Sequence, residues 1–120
     1  MNTTHTILNY TTYGTPSGTY DGSSADWSSE AVRAVNYYRG YGGIQTLRYQ
    51  LIDFVGVLYF EATLDADPDN SNWFSTLTVG DASSALTDLR SVAVTGNFTW
   101  MRVRVESFDS GTINYIKIIY

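Results

Sequence analysis

The sequence predicts an all-β fold: an antiparallel β-sandwich of about seven or eight strands with an irregular N-terminal arm. Three observations carry this. Apolar residues alternate with period two from Gly43 to the last residue, and no stretch is long enough for a crossover helix. Two runs dense in β-branched and aromatic residues, 98–105 and 113–120, flank Asp109-Ser110-Gly111 and describe a hairpin. Turn chemistry recurs between the apolar runs at spacings of roughly 10–15 residues, as in sandwiches. Residues 1–43 are expected to form the arm and the first strand or strands, packed on the sandwich or on a neighbour. Residues 44–120 are expected to form the core.

The elements follow in order. Residues 6–13 read as a short edge strand. Residues 14–29 read as loop, broken by Pro16, Gly18 and Gly22. A strand over 31–38 competes with a helical turn capped by Ser28 or Ser29, and the β character of the remainder favours the strand. Residues 44–54 form a strand with Leu47, Tyr49 and Leu51 on one face. Gly56 marks a tight turn. Residues 57–65 return, with Leu58, Phe60, Ala62 and Leu64 as an apolar row. Residues 65–72 make an acidic turn and 73–79 a strand. Residues 80–88 read as a loop or short helical turn. Strands at 90–95, 98–107 and 112–120 complete the set, with a turn at Gly96-Asn97. In the run over 98–107, Met101, Val103 and Val105 form a core row, while Phe98 and Trp100 share parity with Arg102 and Arg104. Either a bulge near Met101 returns the aromatics to the core, which is the preferred reading, or they lie outward beside the arginines.

Composition narrows the function classes. The net charge is −5 and the 7 basic residues form no cluster, so neither nucleic acid nor an anionic membrane is an expected partner. No run approaches the ~20 apolar residues of a membrane span. Residues 1–5 lack the basic and apolar regions of a secretory signal, so synthesis in a cytoplasm is expected. There is no cysteine, hence no disulfide and no thiol chemistry. Ten Tyr, five Phe and three Trp suit a surface that meets protein or sugar, because their rings bury area while Tyr and Trp keep a polar tip.

No catalytic constellation is visible. A serine triad would have to recruit His5, the single histidine, and chance pairs are cheap among 12 acidic residues. No enzyme and no cofactor are expected. Asp65, Asp67 and Asp69 alternate as calcium ligands do. However, Asn70 stands where such a loop needs Gly, Thr76 where it needs a bidentate Glu, and Pro68 restricts the turn. A solvated loop without metal is therefore expected. The contact residues predicted are Trp27, Tyr37, Tyr38, Tyr41 and Tyr59. Trp27, Trp73, Trp100 and the tyrosines also suit stacking on sugar rings, so a glycan is the alternative partner.

The succession Gly56-Val57-Leu58-Tyr59-Phe60-Glu61-Ala62-Thr63-Leu64-Asp65, Ser71-Asn72-Trp73-Phe74, Gly96-Asn97-Phe98-Thr99-Trp100-Met101-Arg102-Val103-Arg104-Val105 and Ser110-Gly111-Thr112-Ile113 resembles small jelly-roll-like β-sandwich domains of tailed-phage virion proteins. The likeness spans residues 44–120. It implies a virion structural protein, such as a capsid decoration (cement) protein or a tail or baseplate accessory, that contacts other virion proteins. Sheet edges need cover, so a homo-oligomer, a closed ring or a trimer, is expected. Domains of this kind also occur in host-recognition parts, which keeps a carbohydrate-binding module as the second reading.

Overall fold

The computed structural model describes residues 3–35, 43–70 and 72–120. It is all-β: a single open antiparallel sheet of seven strands, with one 3₁₀ turn at Pro68–Asn70 and no α-helix among the described residues. The strands are β1 (Thr4–Leu8), β2 (Thr11–Thr12), β3 (Trp27–Ser28), β4 (Val32–Arg33), β5 (Ile44–Thr63), β6 (Phe74–Thr95) and β7 (Trp100–Ile119). β5 lies at the centre, with β6 on one side and β7 on the other. The four short strands follow one another along the far edge of β7. Thr4 stands opposite Ile119, Thr11 opposite Ile113, Trp27 opposite Val105 and Val32 opposite Met101. The arm is thus one interrupted strand. Its interruptions hold Gly14, Pro16, Gly18 and Gly22, residues that weaken or cannot donate to a ladder. Of the strand expected over 31–38, the described residues hold β4, residues 36–38 lie outside them, and the competing helical turn over 28–35 does not form.

The long strands replace three expected reversals. Gly56 and residues 109–111 close no hairpin, and β5 and β7 each run through these places as one continuous strand. Both halves of β7 pair with β5: Val103 with Phe60, and Ile118 with Leu47. The loop expected at 80–88 survives only as a bulge within β6. Asp81 stands opposite Gly56 and Leu86 opposite Phe54, so residues 82–85 are unpaired with β5. The turn residues bend the strands instead. Asp53 (φ 49°), Ser107 (φ 55°), Gly80 (φ 99°) and Gly111 (φ 90°) all adopt the left-handed region. The β5–β7 register slips between Gln50 and Leu51, Ile52 and Val55, and Val55 and Val57. Bulges of this kind kink a strand and sharpen its twist. The consequence is large. Tyr49 and Phe60 would be ~36 Å apart along a straight strand, yet their ring centroids are 5.8 Å apart. β5 doubles back on itself, and side chains from both halves enter one core.

That core holds Leu47, Tyr49, Leu51, Phe54, Leu58, Phe60 and Ala62 of β5, and Met101, Val103, Val105, Phe108, Ile113, Ile116 and Ile118 of β7. The parity of β5 switches from odd to even across the kink, so alternation holds within each half. The predicted rows are buried except for Leu64, which is 63% exposed because β5 ends at Thr63. The arm contributes Ile7, Leu8, Tyr20 and Ala34 to the same cluster and so docks on its own chain. The bulge preferred near Met101 is absent. Thr63, Ala62 and Glu61 face Trp100, Met101 and Arg102 in unbroken register, which leaves Trp100 on the outward face with the arginines. Phe98 precedes the strand, is buried, and packs edge-on against Phe74 at 5.6 Å.

Candidate functional site

The outward face of β5 and β7, beyond the kink, carries a chain of charges and rings. Glu61 faces Arg102 and Tyr59 faces Arg104 across the strands. Glu61 is only 6% exposed, and its two carboxylate oxygens accept from Arg102 Nε (2.9 Å) and Arg104 Nε (3.1 Å). Arg104 also pairs with Glu106. The Arg104 guanidinium stands 4.1 Å from the centre of the Tyr59 ring, and that of Arg102 stands 4.3 Å from the centre of the Trp73 ring. Cation–π contacts of this kind contribute roughly 0.5–2 kcal/mol each. The order Tyr59–Arg104–Glu61–Arg102–Trp73 sets a guanidinium over each of two aromatic rings. One buried carboxylate between two guanidinium groups accounts for two neighbouring arginines on this face.

Past Trp73 the face opens into a cleft of about 450 Å³ lined by Ser29, Glu30, Ala31, Pro68, Asp69, Trp73, Trp100 and Arg102. Its walls are held from behind. Trp100 Nε1 donates to the Ala66 carbonyl (3.0 Å), and the Thr99 hydroxyl donates to the carbonyls of Thr63 (3.0 Å) and Asp65 (2.5 Å). The acidic turn uses its carboxylates locally. Asp65 accepts from the Asn72 amide (2.8 Å) and the Thr63 hydroxyl (3.3 Å), and Asp67 accepts from the Asp69 amide (3.0 Å). The structure does not bring Asp65, Asp67 and Asp69 into one cluster, and no group of three or more acidic or histidine side chains among the described residues could hold a metal.

A second surface is the outer edge of β6, which no strand pairs among the described residues. Its 22 residues hold three charges, Asp81, Asp88 and Arg90, two of them paired with each other at 3.2 Å, and no Lys or Pro. Leu89 is 55% and Phe74 42% exposed. Natural edges are normally blunted by lysine, proline or cover.

The predicted contact residues separate. Tyr59 is half-buried in the chain of rings and charges just described. Trp27 turns toward the core, its ring 5.0 Å from Tyr20 and 6.1 Å from Phe108, with its Nε1 buried and without an acceptor. Tyr37, Tyr38 and Tyr41 lie outside the described residues. His5 Nε2 is 3.1 Å from the Tyr120 hydroxyl. Glu61 was missed as a centre, although Tyr59 and Glu61 at i and i+2, and Arg102 and Arg104 likewise, gave the one-face spacing. Only the β5–β7 register joins the two pairs. The chain matches no family model, no curated protein and no solved structure.

Proposed function

We propose that this chain is a non-catalytic structural protein that assembles through its sheet. The observation that carries the reading is the 22-residue outer edge of β6, long, sparsely charged and without a partner strand among the described residues. Unpaired N–H and C=O groups along such an edge form a template for another strand, and pairing it removes the liability. The folded-over sheet is read as a jelly-roll-like two-layer sandwich in which β6 is the open side. The order of motifs over residues 44–120 resembles virion sandwich domains and supplies a setting: a decoration or tail-accessory protein of a tailed phage, copied many times and closed into a ring or trimer. The aromatic and arginine composition of the Tyr59–Trp73 face suits a contact surface.

Light scattering over a concentration series tests this. The wild-type chain is expected to be an oligomer at tens of micromolar. Leu89→Lys, a change at an exposed position that leaves the core untouched, is expected to shift it toward monomer. A wild-type monomer at all concentrations, or an oligomer indifferent to Leu89→Lys, would count against assembly through this edge.

A further inference from the structure

The order of side chains along β6 names the partner of its open edge. We infer that β6 pairs with β6 of a second copy, antiparallel across a two-fold axis at Leu89. The inference rests on the reading of β6 as the assembling edge, and two observations lead to it. First, the chain offers one long ladder edge. The opposite margin of the sheet is the arm, whose longest strand is the five-residue β1 and whose other strands have two residues each. A head-to-tail ladder of β6 on another copy's arm would find little backbone to pair with. β6 on β6 meets an edge as long as itself, and a self-complementary contact of that kind is what a two-fold axis generates.

Second, the residues around Leu89 match their own reverse. Two strands related by a two-fold axis normal to the sheet run antiparallel. One residue then lies opposite its own copy, and residues equidistant from it face each other. With Leu89 on the axis, Asp88 faces the partner's Arg90, Thr87 the partner's Ser91 and Leu86 the partner's Val92. The pairs join opposite charges, two hydroxyls and two apolar side chains, the kinds that stabilise antiparallel ladders. Moving the axis by one residue undoes this. At Asp88 two carboxylates would meet, and at Arg90 two guanidinium groups. Asp88 and Arg90 stand opposite Leu51 and Tyr49 of β5, so they share one face, and they hold each other at 3.2 Å. Thr87, Leu89, Arg90 and Ser91 are exposed. Edge charges deter a strand when they meet their like; across this axis each meets its opposite. The bulge over 82–85 ends the regular edge on one side, and symmetry ends the ladder beyond Val92 on the other. Over residues 74–81 the single charge, Asp81, selects no register. The edge thus joins chains in pairs, and a larger ring needs a second contact face.

The chain has no cysteine, so introduced cysteines report the register. Leu89→Cys, Ser91→Cys and Ala93→Cys lie at exposed positions of one face and are oxidised with copper phenanthroline. Opposed Cα atoms are ~4.5–5.5 Å apart, within disulfide reach. At position 91 a residue and its copy would be ~14 Å apart. Leu89→Cys should therefore give at least about tenfold more linked dimer than either other variant. Asp88→Lys and Arg90→Glu should each weaken dimerisation at least about tenfold in sedimentation. Mixed together they should pair, because every altered charge then faces its opposite. A wild-type monomer at all concentrations overturns both the inference and the reading it rests on. An oligomer that Leu89→Lys disrupts, but that is a trimer or crosslinks best away from position 89, overturns the inference alone. So does a mixture of the two charge variants that stays monomeric while both keep the wild-type melting temperature.

Discussion

Glu61 is the residue on which the outward face turns. It is nearly buried, and both of its oxygens are held by guanidinium groups that remain partly wet. Removing it leaves Arg102 without its carboxylate acceptor and Arg104 with Glu106 alone, and loosens the rings they cover. Hydrogen bonds to charged groups contribute about 1.5–3 kcal/mol. Glu61→Ala should therefore lower stability by about 2–3 kcal/mol, read as a melting-temperature drop on the order of 10 °C. An unchanged melting curve would show that the pairing contributes nothing. Asp21 gives a pH-dependent case. The Ser24 hydroxyl and the Ser23 and Ser24 amides hold its carboxylate, which lowers its pKa from 3.8 to about 2. A depressed carboxylate stabilises the turn above the unfolded value of 3.8, and that contribution disappears as pH falls through about 2. An NMR titration should place the Asp21 midpoint near 2; a midpoint near 3.8 would mean the loop bonds are not formed in solution. At this scale much was readable in advance. The outward position of Arg102 and Arg104 followed from parity. Trp27 did not, because Tyr20 and Phe108, which draw it inward, come from separate parts of the chain.

Among the elements, the two core rows over 58–62 and 101–105 were legible because period two is a local property. The turns were misread for a physical reason. A glycine in the left-handed region bends the backbone equally well in a reversal and in a kinked strand. Which of them forms is decided by the partner, and the partner of 109–111 is the kink of β5 more than fifty residues away. At Gly111 an added Cβ would land on the Asp53 carbonyl, and its φ of 90° strains any other residue. At Gly80 a Cβ would meet the Gly56 carbonyl. These close approaches hold the fold-over in place. Gly111→Ala should therefore destabilise the protein by at least about 2 kcal/mol in urea unfolding. A hairpin tip open to solvent would tolerate that change far better, so an effect under about 0.5 kcal/mol would favour the reversal over the kink.

For the molecule as a whole, the arm, β7, β5 and β6 form four ribbons of one bent sheet, and the two outermost ribbons differ. The arm covers the β7 edge with the chain's own residues, ties to it by the reciprocal Thr3–Tyr120 backbone bonds, and buries Ile7, Leu8 and Tyr20. β6 has no such cover among the described residues. The all-β class and the antiparallel pairing were predictable because strand propensity and alternation agree along the chain, whereas the structure holds one open sheet where two layers were expected. The asymmetry of the edges was not, since it depends on which ribbon ends up outermost. It is also the feature that makes assembly the reading of choice. Amide hydrogen exchange across β6, measured at low and at high protein concentration, tests that most directly. The account predicts that alternate β6 amides exchange freely when dilute and become protected as the chain assembles. Equal exchange at both concentrations would contradict it.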